Sequence, residues 1–285
     1  MAEDSDTFKS STLARSEYNT IAESYSEVVP ALPFTIHVEE HTSKKTLQGL
    51  ISSGRFGSAR IPRALDLACG NGRYTRNVKF HWGVVDQVLG VDISPEMVAQ
   101  ANAATKKFND PNITFEVGDG SSGEKFYTHP GQGGVPYDLV VAAYLLNHAS
   151  TRENLLAFCK TVYANLDPEH GVFLTANNSP FQPPNTFQEM AKYGFTKRFG
   201  PEVDTTKPVP DFTPFTLGFF TNPADPSAGV FELTGHFMGA EPLVSCLKEA
   251  GFKSVRFVQL EAAEQKEFFQ DFIDWQVLVV IEALV

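Results

Sequence analysis

Cysteine is scarce in this 285-residue chain. Cys69, Cys159 and Cys246 are scattered and odd in number, and no C-x-x-C pair occurs. That excludes a disulfide framework and a cysteine zinc site, and the three read as reduced core thiols. Long apolar runs are also missing. None reaches the roughly 18 to 20 residues of a spanning helix, so no membrane partner is expected. The first twelve residues, MAEDSDTFKSST, lack the basic start and apolar centre of a signal peptide, and a cytoplasmic location is expected. Basic charge is short too: Lys and Arg number 23 against 34 Asp and Glu, a net charge of -11. Phosphate-backbone binding needs clustered Lys and Arg, so nucleic acid is not an expected partner. Metal-ligand clusters are lacking as well. His37 and His41 stand one helical turn apart, but no third ligand accompanies them, and no metal is expected.

What is present is a full complement of core residues, 42% hydrophobic, arranged in an alternating rhythm. Residues 1–12 read as a disordered tail. LARSEYNTIAESYSEVV (13–29) places Tyr18, Ile21, Ala22 and Tyr25 on one helical face. A second helix is expected from about Thr35 to Ser52, completing an N-terminal helical cap over 13–60. From 61 to 178 short apolar strands alternate with helices: RALDLA, VDQVLGVDI, NITFEVGD, PYDLVVAAYLL and GVFLTANN are the strands. Ser94 and Pro95 mark a capped helix start. Alternation of this kind predicts an α/β fold, a doubly wound parallel sheet with helices on both faces. Right-handed crossovers then bring the C-terminal ends of its parallel strands to one edge, where ligands bind.

Past Asn178 the rhythm stops. Segment 179–239 is rich in Pro and Phe, too apolar for a free linker, and reads as an ordered substrate cap. Its 217–221 and 229–237 stretches look like a hairpin. Residues 240–285 hold a helix closed by Gly251 and two final strands, returning the chain to the core sheet.

The stretch Asp66-Leu-Ala-Cys-Gly70-Asn-Gly72 lies between a strand and a helix. Glycines there supply left-handed backbone and remove side chains that would block a ligand. A dinucleotide fingerprint would carry a third glycine where this chain has Thr75. Asp92 ends the second strand, where a carboxylate can accept both hydroxyls of a ribose. Asp119 follows the third strand and suits an adenine amino group. The fourth strand runs into a loop at the same edge. Together the four strand ends point to a nucleoside-bearing ligand.

In this order and spacing the motifs resemble class I S-adenosylmethionine-dependent methyltransferases, nearest to the small-molecule branch. DLACGNG, GVDIS, FEVGDGS and YDLVVAAYLLNH are similar to that family's first four motifs, and YNTIAESY to its N-terminal helix. The resemblance implies a Rossmann-like seven-stranded sheet with an antiparallel last strand, and S-adenosyl-L-methionine as cofactor. It implies that Gly70 and Gly72 admit the methionine part, with Ala68 in the same loop, and that Asp66 orients this loop and reaches the methionine amino group. Asp92 would bind the ribose and Ile93 pack on the adenine. Asp119 and Gly120 would recognise the adenine edge. Ala143 and Tyr144 would lie near the amino and methyl ends. Arg73 has two readings, a partner of the cofactor carboxylate or part of a solvated helix face.

An aromatic face beside a sulfonium is attractive through cation–π contact, and Tyr18, Tyr25 and Tyr144 are the candidates. If the acceptor is a hydroxyl, His148 just past the fourth strand is the best-placed base, with His236 on the cap hairpin as an alternative. The fourth motif, Ala142-Ala-Tyr-Leu, lacks the [ND]-P-P-[YF] stretch of enzymes acting on adenine or glutamine amides. The expectation is therefore methyl transfer to O or N of a small, partly apolar metabolite, by a monomer or homodimer. The competing readings are a protein methyltransferase with an open acidic groove, a cofactor-binding partner subunit without catalysis, and an NAD(P)-dependent oxidoreductase, which Thr75 at the third glycine position disfavours.

Overall fold

The computed structural model describes residues 4–222 and 229–285. Met1–Glu3 of the expected tail and 223–228 of the cap lie outside the described residues. The tail reading needs correction from Asp4 onward, because helix α1 spans Asp4–Val28. No Pro or Gly interrupts that span, so nothing in its backbone stops the helix before Pro30. A π-helical stretch, Thr35–Glu40, then runs directly into α2, His41–Ser52.

Seven strands form the central sheet: β1 Ile61–Leu67, β2 Val85–Asp92, β3 Ile113–Val117, β4 Leu139–Val141, β5 Val172–Asn178, and near the C-terminus β9 Ser254–Val258 and β10 Leu278–Leu284. Their order is β3-β2-β1-β4-β5-β10-β9. The first five are parallel, and β10 is antiparallel to both β5 and β9. Strands buried on both faces explain the nearly continuous apolar runs in the sequence. Register aligns the strand ends: Leu67 pairs with Val91, Asp66 with Val141 and Asp92 with Val117. The chain reverses direction across the sheet between β1 and β4, so the switch point sits beside the glycine loop. Helices α3 Arg73–Arg76, α4 Pro95–Thr105, α5 Arg152–Asn165 and α6 Ala240–Ala250 provide the crossovers. Ser94 caps α4 as its sequence foretold, its Oγ accepting from the Met97 N–H at 3.1 Å. The same Oγ donates to Asn19 Oδ1 at 2.6 Å, fastening α1 to the core. Among the described residues no helix is long and apolar enough to cross a membrane.

Between β5 and α6 a second sheet forms from β6 Phe195–Phe199, β7 Thr213–Phe220 and β8 Val230–Phe237, all antiparallel. The hairpin reading captures β7 and β8 but omits β6. The reason is Lys197, a charged residue at a core position of the alternating stretch FTKRF. Lys197 is buried, with Nζ 4.4 Å from the Phe187 ring centroid and 4.7 Å from that of Phe215. Gln182 Oε1 accepts from its Nζ at 3.3 Å. Burial pushes its pKa down from 10.5 to about 7. A short helix α7, Gln270–Asp274, also escapes sequence reading; its Phe272 joins the core beneath the cap.

Lys197 generates a prediction. Between pH 7 and 10.5 the unfolded chain holds the Lys197 proton and the native chain does not, so its contribution to stability rises with pH across that window. Lys197→Met is expected to gain about 1–3 kcal/mol at pH 7 and to lose that pH slope in denaturant titrations. A destabilised variant with the slope intact contradicts this account.

Candidate active site

The loop after β1 departs sharply from ordinary backbone. Ala68, Gly70 and Gly72 have φ of 62, 55 and 77°. For alanine this left-handed conformation costs about 1–2 kcal/mol, and such strain gathers at functional sites. The Gly70 N–H donates to Asp92 Oδ2 at 2.7 Å, and the Ser94 N–H to Asp92 Oδ1 at 2.9 Å. One carboxylate thus ties the glycine loop to the start of α4. Burial raises the Asp92 pKa to about 6, against the lowering effect of these backbone donors.

A cleft opens beside this carboxylate. Ala68, Gly70, Asp92, Ile93, Asp119, Gly120, Ala143 and Tyr144 line it. Asp119 Oδ1 accepts from the Ser121 N–H and Oγ at 2.8 and 2.7 Å, which fixes the residue at the cleft. Tyr25 closes the cleft from α1, and a Cβ added at Gly70 would lie 4.0 Å from its ring. Gly118, Leu145 and Phe158 complete the wall; apolar residues in an apolar context gave no sequence signal.

Three residues expected at the cofactor do not line this cleft. A Cβ on Gly72 would stand 2.8 Å from the Phe115 ring and 3.0 Å from Ala101, so this glycine serves close helix–strand packing. Asp66 is 1% exposed beneath the loop. Thr75, at the position of the missing third glycine, donates to Asp66 Oδ2 at 2.6 Å. Asp66 Oδ1 has no partner among the described residues. Burial, with a smaller effect from Asp92, raises the Asp66 pKa to about 7. Arg73 meets neither of its two readings. Its Nη2 bonds Glu39 Oε1 at 2.9 Å and its Nη1 bonds Glu40 Oε1 at 2.5 Å, and the guanidinium is largely buried.

Glu39 is fully buried in the π-helical stretch before α2. Its second oxygen accepts from Tyr144 Oη. Tyr144 itself is left-handed, with φ 65° and ψ 2°, and its N–H donates to Ala176 O at 2.7 Å. Sequence reading missed Glu39, since a Glu-Glu pair inside a polar helix reads as solvated surface. The π-helical widening that turns it inward is a feature often found at functional sites.

A second chamber adjoins the cleft. Tyr18, Tyr25, Tyr144 and His148 line both spaces and form the septum between them. Tyr18 and Tyr25 meet edge to face at 5.9 Å, and Tyr18 Oη lies 3.1 Å from His148 Nε2. Burial and, less, the charge of His236 push the His148 pKa down to about 4. His236 lines neither space, and its Nδ1 is buried without a partner among the described residues. Of the many phenylalanines in 179–239, Phe195 and Phe219 reach the chamber, where Phe34 and Phe272 join them from outside the cap.

Residues 64–169 match the model of a family described as Methyltransferase domain. The chain is similar to a S-adenosylmethionine-dependent methyltransferase from Clostridium acetobutylicum ATCC 824, with 16% identity over 94% of this chain and 98% of that one and a TM-score of 0.58. A putative S-adenosylmethionine-dependent methyltransferase from Listeria monocytogenes shares 17% identity, covering 86% and 97% of the two chains with a TM-score of 0.54. Magnesium protoporphyrin IX methyltransferase from Synechocystis PCC 6803, solved with bound SAH, shares 14% identity over 96% and 99%, with a TM-score of 0.52. At such identities the likeness establishes the fold. No curated protein matches the sequence. Residues 64–169 thus match a methyltransferase domain, and the chain as a whole has the fold of class I S-adenosylmethionine-dependent methyltransferases.

The cleft residues fit that cofactor: carboxylate acceptors stand where hydroxyl and amino donors would come, and the loop is cleared of side chains. The buried ion pair beside it yields a prediction. Arg73→Ala leaves Glu39 buried with its charge unpaired and is expected to cost about 3–5 kcal/mol of stability. Adding Glu39→Gln to Arg73→Ala is expected to recover part of that. A loss below about 1 kcal/mol for Arg73→Ala in denaturant unfolding contradicts the arrangement.

Proposed function

We propose that the chain transfers the methyl group of S-adenosylmethionine to an O or N atom of a small, largely apolar metabolite seated in the second chamber. The observation that carries this reading is the shared septum of Tyr18, Tyr25, Tyr144 and His148 between a polar cleft and an aromatic chamber. A group held on one side can reach a group held on the other with water largely excluded. A protein methyltransferase needs a long groove for its substrate, and a pocket lined by phenylalanines favours a small acceptor instead.

When bound, the cofactor supplies an already activated methyl group, so the protein's work is binding and alignment. In this assignment Asp92 accepts the ribose hydroxyls, Ile93 packs on the adenine, and Asp119 with Gly120 recognises its edge. Gly70 admits the methionine end. Asp66 acts from beneath the loop through its unpartnered oxygen. Tyr25 and Tyr144 present rings and hydroxyls at the septum, where a cationic centre is attracted by about 0.5–2 kcal/mol. With its pKa near 4, His148 is neutral at physiological pH. It orients Tyr18 and an acceptor hydroxyl by hydrogen bonding, and is a weak store for a proton.

The test is calorimetric titration of S-adenosylmethionine, S-adenosylhomocysteine and NADH into the protein. The sulfur ligands are expected to bind, and Asp92→Ala to weaken them by about 1–3 kcal/mol. Absence of sulfur-ligand binding by folded protein sinks the reading, and an NADH signal replaces it with an oxidoreductase. The pH dependence follows from Asp92. Its carboxylate, the form that accepts hydroxyl protons, is lost as pH falls through about 6. S-adenosylhomocysteine affinity is therefore expected to be level above about pH 8, where Asp66 is ionised too, and to fall as pH drops through about 7 and then about 6, with the lower step blunted in Asp92→Asn. An affinity that rises on acidification contradicts this role.

A further inference from the structure

The second chamber has a charge character as well as aromatic walls. Among its described lining residues there is no lysine or arginine. Glu39 lines it, and Glu40 shares the Arg73 guanidinium with Glu39, so this cluster sets two negative charges against one positive. Another carboxylate stands behind the wall. Glu17 of α1 accepts at 3.0 Å from the N–H of Thr234, itself a lining residue. Lys197 of the cap does not offset these charges, because its Nζ is held between the Phe187 and Phe215 rings and it is not part of the lining. Phe34, Phe195 and Phe219 add their rings to those of Tyr18, Tyr25 and Tyr144. Aromatic faces are electron-rich, so rings and carboxylates favour the same guest, a cation. An anion would find no counter-ion, and its desolvation would go uncompensated.

The proton acceptors of the wall point the same way. Glu39 gives Oε1 to Arg73 and Oε2 to Tyr144. His148 engages Tyr18 through Nε2 at 3.1 Å, and burial pushes its pKa down to about 4. The three tyrosines keep their phenol protons, since burial raises the pKa of each. A hydroxyl acceptor must give up a proton as it is methylated, and these bases are poorly suited to take it. An amine need not. Its lone pair forms the new N–C bond while the C–S electron pair returns to sulfur. One positive charge then moves from sulfur to nitrogen, and the proton leaves only after release.

Resting on the reading of this chamber as the acceptor site, we propose that the acceptor atom is the nitrogen of an uncharged amine, and that the chamber holds the ammonium product by its ring faces and by the excess negative charge of Glu39 and Glu40. The carboxylates act through their field, since Glu39 is fully buried and both of its oxygens are engaged. That field favours one positive charge at a time, so the amine enters as the free base while the sulfonium is in place. Phe219 and Glu40 are specificity-determining residues in this arrangement.

The experiment is ligand-observed NMR with three probes of matched shape: choline, 3,3-dimethylbutan-1-ol, in which a tert-butyl group replaces the trimethylammonium, and 3,3-dimethylbutanoate. Choline stands in for a methylated ammonium product. Each is titrated into wild type, Glu40→Gln and Phe219→Leu, alone and with saturating S-adenosylhomocysteine or S-adenosylmethionine. With S-adenosylhomocysteine, choline is expected to bind about tenfold tighter than the alcohol, with the carboxylate weakest. That preference is expected to shrink about threefold or more in each variant. Replacing S-adenosylhomocysteine by the cationic S-adenosylmethionine is expected to weaken choline about threefold or more and to leave the alcohol unchanged. The two variants alter charge and ring separately, so a folding failure of one leaves the other to decide. An alcohol that binds as well as choline, a carboxylate that binds best, binding by none of the three, or a preference undiminished in a folded variant overturns the proposal. Choline preference without binding of either sulfur ligand leaves the cation class standing and sinks methyl transfer. S-adenosylhomocysteine binding without choline preference does the reverse.

Discussion

The buried carboxylate of Glu39 sets the terms for the rest of this site. A charge with no exposure must be paired and hydrogen-bonded, and here the partners come from two other parts of the chain. Arg73 arrives from the helix that follows the glycine loop, and Tyr144 from the loop after β4. Glu39 itself stands on the N-terminal helical segment, in the π-helical stretch that turns it inward. Satisfying this one anion therefore locks the N-terminal segment onto the core at the place where cleft and chamber meet. Tyr144 is held left-handed there, a conformation a tyrosine keeps only where its surroundings enforce it.

Around that lock the charges are sorted by side. Asp66 and Asp92 lie beneath the cleft with pKa values raised to about 7 and 6 by burial, and a bound cationic cofactor would favour their ionised forms. Across the septum the chamber offers aromatic walls, a neutral His148 and no cation among its described lining residues. The parallel sheet supplies both spaces from one edge, because register brings the ends of β1, β2 and β4 together. The antiparallel cap sheet and α1 then close over that edge, with Ser94 joining α1 to the capped start of α4.

Much of this was legible in the sequence where the signal is local. Alternating buried strands and helices gave the five strands of the central sheet's parallel part, and the four strand-end motifs held eight of the residues that line the cleft, from Ala68 to Tyr144, with Tyr25 read from the N-terminal helix. Ser94 was readable as a cap because capping depends on two adjacent positions. What escaped depends on partners distant in the chain. Gly72 looks like Gly70 in sequence, yet Phe115 and Ala101 give it a packing role. Arg73 could not be placed without Glu39 and Glu40, more than thirty residues upstream. Lys197 disguised β6 as a polar stretch, since a lysine buried between two phenylalanine rings contradicts the pattern that marks a strand.

The central claim is that the septum of Tyr18, Tyr25, Tyr144 and His148 is where methyl donor and acceptor meet. A crystal structure of the S-adenosylhomocysteine complex tests it most directly. The account predicts adenine between Ile93 and Asp119, the ribose on Asp92, and the sulfur at Tyr25 and Tyr144 with its free side facing the Phe-lined chamber. A ligand bound in the reverse direction, or a sulfur facing bulk solvent with the chamber sealed off behind intact side chains, would contradict it.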